Sequence, residues 1–137
     1  MLEHEEWLFK ARQDLKSAKY LSNAEDSLFD TAIYHTQQCA EKALKGYLVF
    51  KKHPVTKTHD LHVLIQLCLK FDQDFLVLKD DARCLNPYAT EFRYPDDILV
   101  PDEEEVAQAI RIAQTFFNIV KDKIEKEHGE VNLDIFS

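Results

Sequence analysis

From Val106 to Ile124 apolar side chains recur at alternating steps of four and three residues, through Ile110, Ala113, Phe117 and Val120, with no glycine or proline between them. That spacing lays one continuous stripe along a helix and cannot serve a strand, whose faces alternate every second residue. The rest of the chain follows the same rule. Trp7, Ala11, Leu15, Ala18 and Leu21 mark a first helix over about residues 2–23, and Phe29, Ile33, Ala40, Leu44 and Tyr47 a second over about 27–52. Leu61, Leu64, Ile65 and Cys68 mark a third, and Phe75, Leu78, Ala82 and Leu85 a fourth. Only two glycines and four prolines occur in 137 residues, too few turn formers for an all-β fold. The expectation is an all-α fold, an antiparallel up-and-down bundle of about five helices over residues 1–128, with 129–137 as a C-terminal tail.

Capping residues set the expected boundaries. Asp26 or Ser27 suits the start of the second helix, Thr58 the third, and Asp102 with Glu105 the last. Pro54 disfavours helical geometry at His53 and ends the second. Gly46 lies inside that helix, where it costs about 1 kcal/mol against alanine unless another helix approaches closely.

The net charge of −8 argues against a general nucleic-acid coat. The first fifteen residues carry charge from the third onward, and no run nears the roughly 20 apolar residues of a membrane span. Cys39, Cys68 and Cys84 show no metal-binding spacing, so reduced thiols in a soluble cytoplasmic protein are expected. His53, His59 and His62 lack further ligands at fixed geometry, and no metal site is assigned. His59 is expected to cap or hydrogen-bond the adjacent loop.

Two places carry residues suited to binding. His35, Gln38, Lys42, Lys45 and Lys52 share one stripe of the second helix, opposite Ala40, Leu44 and Tyr47. The lysines can be read as a phosphate or RNA contact, or as the solvated face with Glu41 and Lys45 paired at i,i+4. The other place is "YATEFRYPDD" at 88–97, which fits no helical or strand period. Tyr88, Phe92 and Tyr94 offer faces on which a base can stack, and Arg93 offers a fork for phosphate. Alternatively Tyr88 and Phe92 plug the end of the bundle while Arg93 pairs with Glu91 or Asp97.

Taken in order, "QQCAEKALKGYL" at 37–48, "THDLHVL" at 58–64 and "EFRYPDD" at 91–97 resemble the HEPN domain, the higher eukaryotes and prokaryotes nucleotide-binding family, over about residues 5–125. The resemblance implies a helical bundle that forms homodimers and works beside a minimal nucleotidyltransferase in toxin–antitoxin-like pairs. It also implies one of two styles: a metal-independent endoribonuclease marked by Arg, four to six residues, then His, or a non-catalytic nucleotide or partner binder. Here no histidine follows Arg93 before His128, so the ribonuclease motif is missing its proton carrier. The expected function is therefore non-catalytic binding of ATP or another nucleotide, or of a nucleotidyltransferase partner. Its candidate ligand-binding residues are Lys42, Lys45, His59, Tyr88, Glu91, Arg93 and Tyr94. The alternatives are a ribonuclease toxin with a displaced histidine and a pure protein-interaction module.

Overall fold

The computed structural model describes residues 1–89, 100–131 and 133. Five α-helices carry the described chain: α1 Glu3–Asn23, α2 Phe29–Phe50, α3 Leu61–Leu69, α4 Lys79–Leu85 and α5 Glu103–His128. The expected fourth helix is split. Residues Gln73–Leu78 wind as a tight 3-10 segment and only then relax into α4.

Side-chain contacts give the directions. Gly46 of α2 meets Trp7 and Leu8 of α1 while Asp14 meets His35 and Lys42, so α1 and α2 run against each other. Lys19 reaches Gln114 and His4 lies beside His128, so α1 also runs against α5. Cys39 faces the Ala113 carbonyl and Lys51 pairs with Glu127, so α2 and α5 run the same way. Between them, α3 and α4 form a short antiparallel pair, tied where the Leu61 amide donates to Asn86 just beyond α4.

Caps depart from expectation at two of three starts. Leu28 precedes α2 without a side-chain cap, because the Ser27 hydroxyl donates instead to the Ser22 and Ala24 carbonyls. Asp60 caps α3 through the His62 amide, and Thr58 accepts from the Asp60 amide one step earlier. Asp102 caps α5 as its spacing predicts, accepting from the Glu105 amide at 2.8 Å. Gly129 ends that helix at φ +94, a conformation that favours glycine.

The core sits where the helical stripes converge. On α5 Val106, Ala113, Phe117, Val120 and Ile124 are buried, joined by Ala109, Ile112 and Phe116, while Ile110 lies at the margin. On α1 the inward position is Leu8 rather than Trp7, which is half-buried. The glycine at 46 has its reason: an added Cβ would come within 3.1 Å of the Trp7 Cβ, an atom fixed by the α1 backbone. Beyond α5, Val131 and Leu133 are also buried, and the Leu133 carbonyl accepts from Arg12 at 2.9 Å.

One buried group at the α1–α5 end has its pKa lowered by its surroundings. His4 packs edge-on against Phe50 at 5.0 Å and His128 at 5.6 Å, and its Nε2 has no hydrogen-bond partner among the described residues. Burial pulls its pKa below 6.5, Glu5 pulls it back up, and His128 lowers it again. A depressed folded-state pKa means the unfolded chain binds more protons below about pH 6.5, so stability must fall as pH drops through that window. Urea midpoints measured between pH 7.5 and 5.5 should decline in the wild type, with a shallower decline in His4→Phe.

Candidate functional site

α2 is the axis of the molecule. Its middle is buried except along the His35, Gln38 and Lys42 stripe, with Gln37, Cys39, Ala40, Glu41, Ala43, Leu44, Lys45 and Gly46 all inaccessible or nearly so. The supposed solvated lysine face is therefore corrected: Lys45 keeps 7% of its side chain exposed and Lys42 27%. The i,i+4 pairing of Glu41 with Lys45 holds, whereas Asp14, which meets Lys42, comes from α1 and leaves no local signal.

Two polar clusters result. In the first, Glu41 accepts from Lys45 Nζ at 2.9 Å and lies 3.0 and 3.2 Å from His59 Nδ1 through its two oxygens. A carboxylate can only accept, so His59 carries its proton on Nδ1 and turns Nε2 outward. Gln37 Nε2 donates to the His59 carbonyl at 3.0 Å, and Gln38 bridges Gln37 and Glu41. The Lys45 ammonium also lies 5.9 Å from the centre of the Trp7 ring. In the second cluster Asp14 of α1 accepts from Lys42 at 2.7 Å and from His35 Nδ1 at 2.8 Å.

His59 is the exposed member, with two-thirds of its side chain in solvent. It does hydrogen-bond, but inward to α2 rather than to the loop above it. Its neighbour Asp60 accepts from Asn86 Nδ2 at 2.9 Å, which holds the carboxyl below the usual range, with the His62 amide adding to the effect. Two residues on, the Tyr88 hydroxyl donates to Glu105 in the first turn of α5. His59 and Tyr88 thus belong to one end of the bundle, tied through Asp60 and Asn86, while Lys42 points back toward α1. Glu91, Arg93 and Tyr94 lie outside the described residues.

Other chemistries find little support among the described residues. No group of three or more His, Cys, Asp or Glu is arranged to hold a metal. Burial raises the Cys68 thiol to about 12 and pushes Cys39 higher still, with Asp14 adding to the rise, so neither is a nucleophile. Cys84 is exposed. No described helix is long and apolar enough to cross a membrane.

Comparison with known proteins agrees with this architecture. The HEPN domain family matches residues 4–123, nearly the whole bundle from His4 to Lys123. The chain belongs to the HEPN domain family. Among solved structures, an archaeal HEPN homologue, ST0689, superposes with a TM-score of 0.71 at 28% identity, covering 90% of this chain and 99% of the other. The protein TT1696 from Thermus thermophilus does so with 0.73 at 26%, with the same coverage. A Methanocaldococcus jannaschii protein bearing the name "Putative toxin MJ1304" is 24% identical over 135 residues, 88% of this chain and 87% of that protein.

Within this HEPN bundle the residues that sequence reasoning missed are Asp14 and Gln37. The spacing of Glu41 and Lys45 was the available signal for the first cluster; nothing local links Asp14 to α2. Removing one member of a buried ion pair strands the other, at a cost of about 3–5 kcal/mol. Glu41→Ala should therefore lower the unfolding free energy by that order in a denaturant titration, and Glu41→Gln with Lys45→Met should recover part of the loss.

Proposed function

We propose that this HEPN protein is a non-catalytic binder of a nucleotide, free or presented by a minimal nucleotidyltransferase, working as a cytoplasmic homodimer within a toxin–antitoxin-like pair. The observation that carries the reading is the distribution of charge. Lys42 and Lys45 are neutralised internally by Asp14 and Glu41, which removes the basic track that a polyanion needs. The end of the bundle around Tyr88 exposes Asp60, Asp102, Glu103, Glu104 and Glu105. Such a surface repels an RNA backbone yet accommodates a small ligand gripped by its base and sugar, with Arg93 as the phosphate contact. The name carried by the Methanocaldococcus relative supports the toxin–antitoxin setting. Exposed Tyr20, Leu76 and Val77 leave apolar area suited to a second subunit or a partner.

One observation favours a second reading, a metal-independent ribonuclease. Glu41 fixes the His59 tautomer and leaves Nε2 free to accept a proton, the arrangement of a general base. On that reading expression of the wild type arrests growth, and His59→Ala relieves it.

Calorimetric titration of ATP, with and without Mg²⁺, decides between them. The binding reading expects saturable heat in the wild type, at least about tenfold weaker affinity in Arg93→Ala, and no growth arrest. Light scattering should report twice the 16.0 kDa chain mass at micromolar concentration. A folded wild type that binds no ATP and is harmless on expression overturns both readings and leaves a pure interaction module.

A further inference from the structure

We propose that His4 and the residues after α5 form an acid-released latch: a proton on His4 lifts Val131 and Leu133 off the α1–α5 face while the bundle beneath stays folded. The two halves of the latch meet at one place. His4, in the first turn of α1, keeps 8% of its surface exposed, and its ring packs edge-on against Phe50 of α2 and His128, the last residue of α5. Phe50 and His128 meet in turn at 5.9 Å, so three rings close a triangle. The chain leaves this triangle through Gly129, at φ +94. It then seats Val131 and Leu133 in the core cluster and reaches Arg12, whose guanidinium donates to the Leu133 carbonyl at 2.9 Å. Arg12 follows His4 by eight residues, about 12 Å along a helix, and the step from Gly129 to Leu133 can span about 13 Å. The chain after α5 thus doubles back along α1. His4 opens the stretch that matches the family, 4–123, and the other half of the latch lies beyond its end.

The triangle has no place for a cation. His4 Nε2 has no hydrogen-bond partner among the described residues, and Phe50 offers only hydrocarbon. Burial disfavours the imidazolium, Glu5 favours it less strongly, and His128 opposes it. The neighbouring charges are already committed or face water. Lys51, just past α2, pairs with Glu127 of α5, and Glu125 pairs with Lys121. Glu3 and Glu6 on α1 and Glu130 beyond α5 are exposed. A protonated His4 is therefore stable only where its ring reaches solvent. The latched state binds that proton more weakly than the released one, so falling pH favours release.

Which part yields follows from what holds it. The Leu2 amide donates to Glu5 at 2.9 Å and closes the start of α1, and the ends of α2 and α5 are tied by Lys51 and Glu127. The chain after α5 is held by two aliphatic side chains, the Arg12 bond and a long 3.5 Å contact from the Val131 amide to Glu125. So small a buried surface, set against the entropy of ordering each residue, makes a segment that opens locally without global unfolding.

Methyl NMR of the full chain between pH 7.5 and 5.5 reads both halves. The Val131 and Leu133 methyls should move toward the positions of an unfolded chain, while Val120, buried in the middle of α5, stays put. The released fraction should rise by up to about tenfold per pH unit, the limit for one proton. In His4→Phe both residues should stay seated across the window. The linkage is reciprocal: Leu133→Ala weakens the latch and should raise the pH at which the His4 ring titrates. Val131 and Leu133 that stay seated while His4 titrates, or that move equally in His4→Phe, overturn the proposal. Loosening confined to the first turn of α1 does so too. An unchanged His4 titration in Leu133→Ala overturns it without requiring that His4→Phe fold.

Discussion

Everything in this fold depends on a helix whose middle is buried on all but one narrow stripe. α2 is packed by α1 along one flank and α5 along another, with α3 and the turn after α4 closing the remainder. Such a helix cannot leave its polar positions to water. Glu41 and Lys45 are buried together, and their charges are tolerable only because each satisfies the other and because Gln37, Gln38 and His59 fill the remaining hydrogen-bonding capacity. The loop 51–60 is consequently pinned to α2 through His59, and α3 starts where that loop ends.

This explains how far the sequence could be read. The α5 stripe, the α5 cap and the close approach at Gly46 were legible because each is a local pattern: a helical period, a capping spacing, a missing side chain. α2 was legible as a helix and misread as to its faces. Lysines three and seven residues apart look the same whether they meet water or a carboxylate on another helix. Asp14 lies 28 residues from Lys42, and only the packing of α1 on α2 brings them to 2.7 Å. The caps at α2 and α3 were missed because oxygen-bearing residues compete for partners: Ser27 turns back to the Ser22 and Ala24 carbonyls, and Asp60, held by Asn86, takes the place of Thr58. The Glu41–Lys45 pairing was legible from its i,i+4 spacing, while Asp14, the partner of Lys42, and Gln37 were not.

The same internal pairing shapes the functional reading. A HEPN bundle with a basic face would suit RNA; this one keeps two of its central cations indoors and turns acids outward at the end near Tyr88. What stays open there is a histidine ring braced by a buried carboxylate. Small-ligand recognition suits such a surface better than backbone tracking does.

The claim on which the rest stands is that Lys45 is an interior, ion-paired group, and its chemical reactivity tests that most directly. Under brief acetylation followed by peptide mass spectrometry, exposed Lys52 and Lys57 should modify rapidly. Lys45 should modify only as fast as the domain unfolds, and quickly once denaturant is added. A Lys45 that acetylates in the native protein at the rate of Lys52 would contradict the account and return α2 to a helix with a solvated basic face.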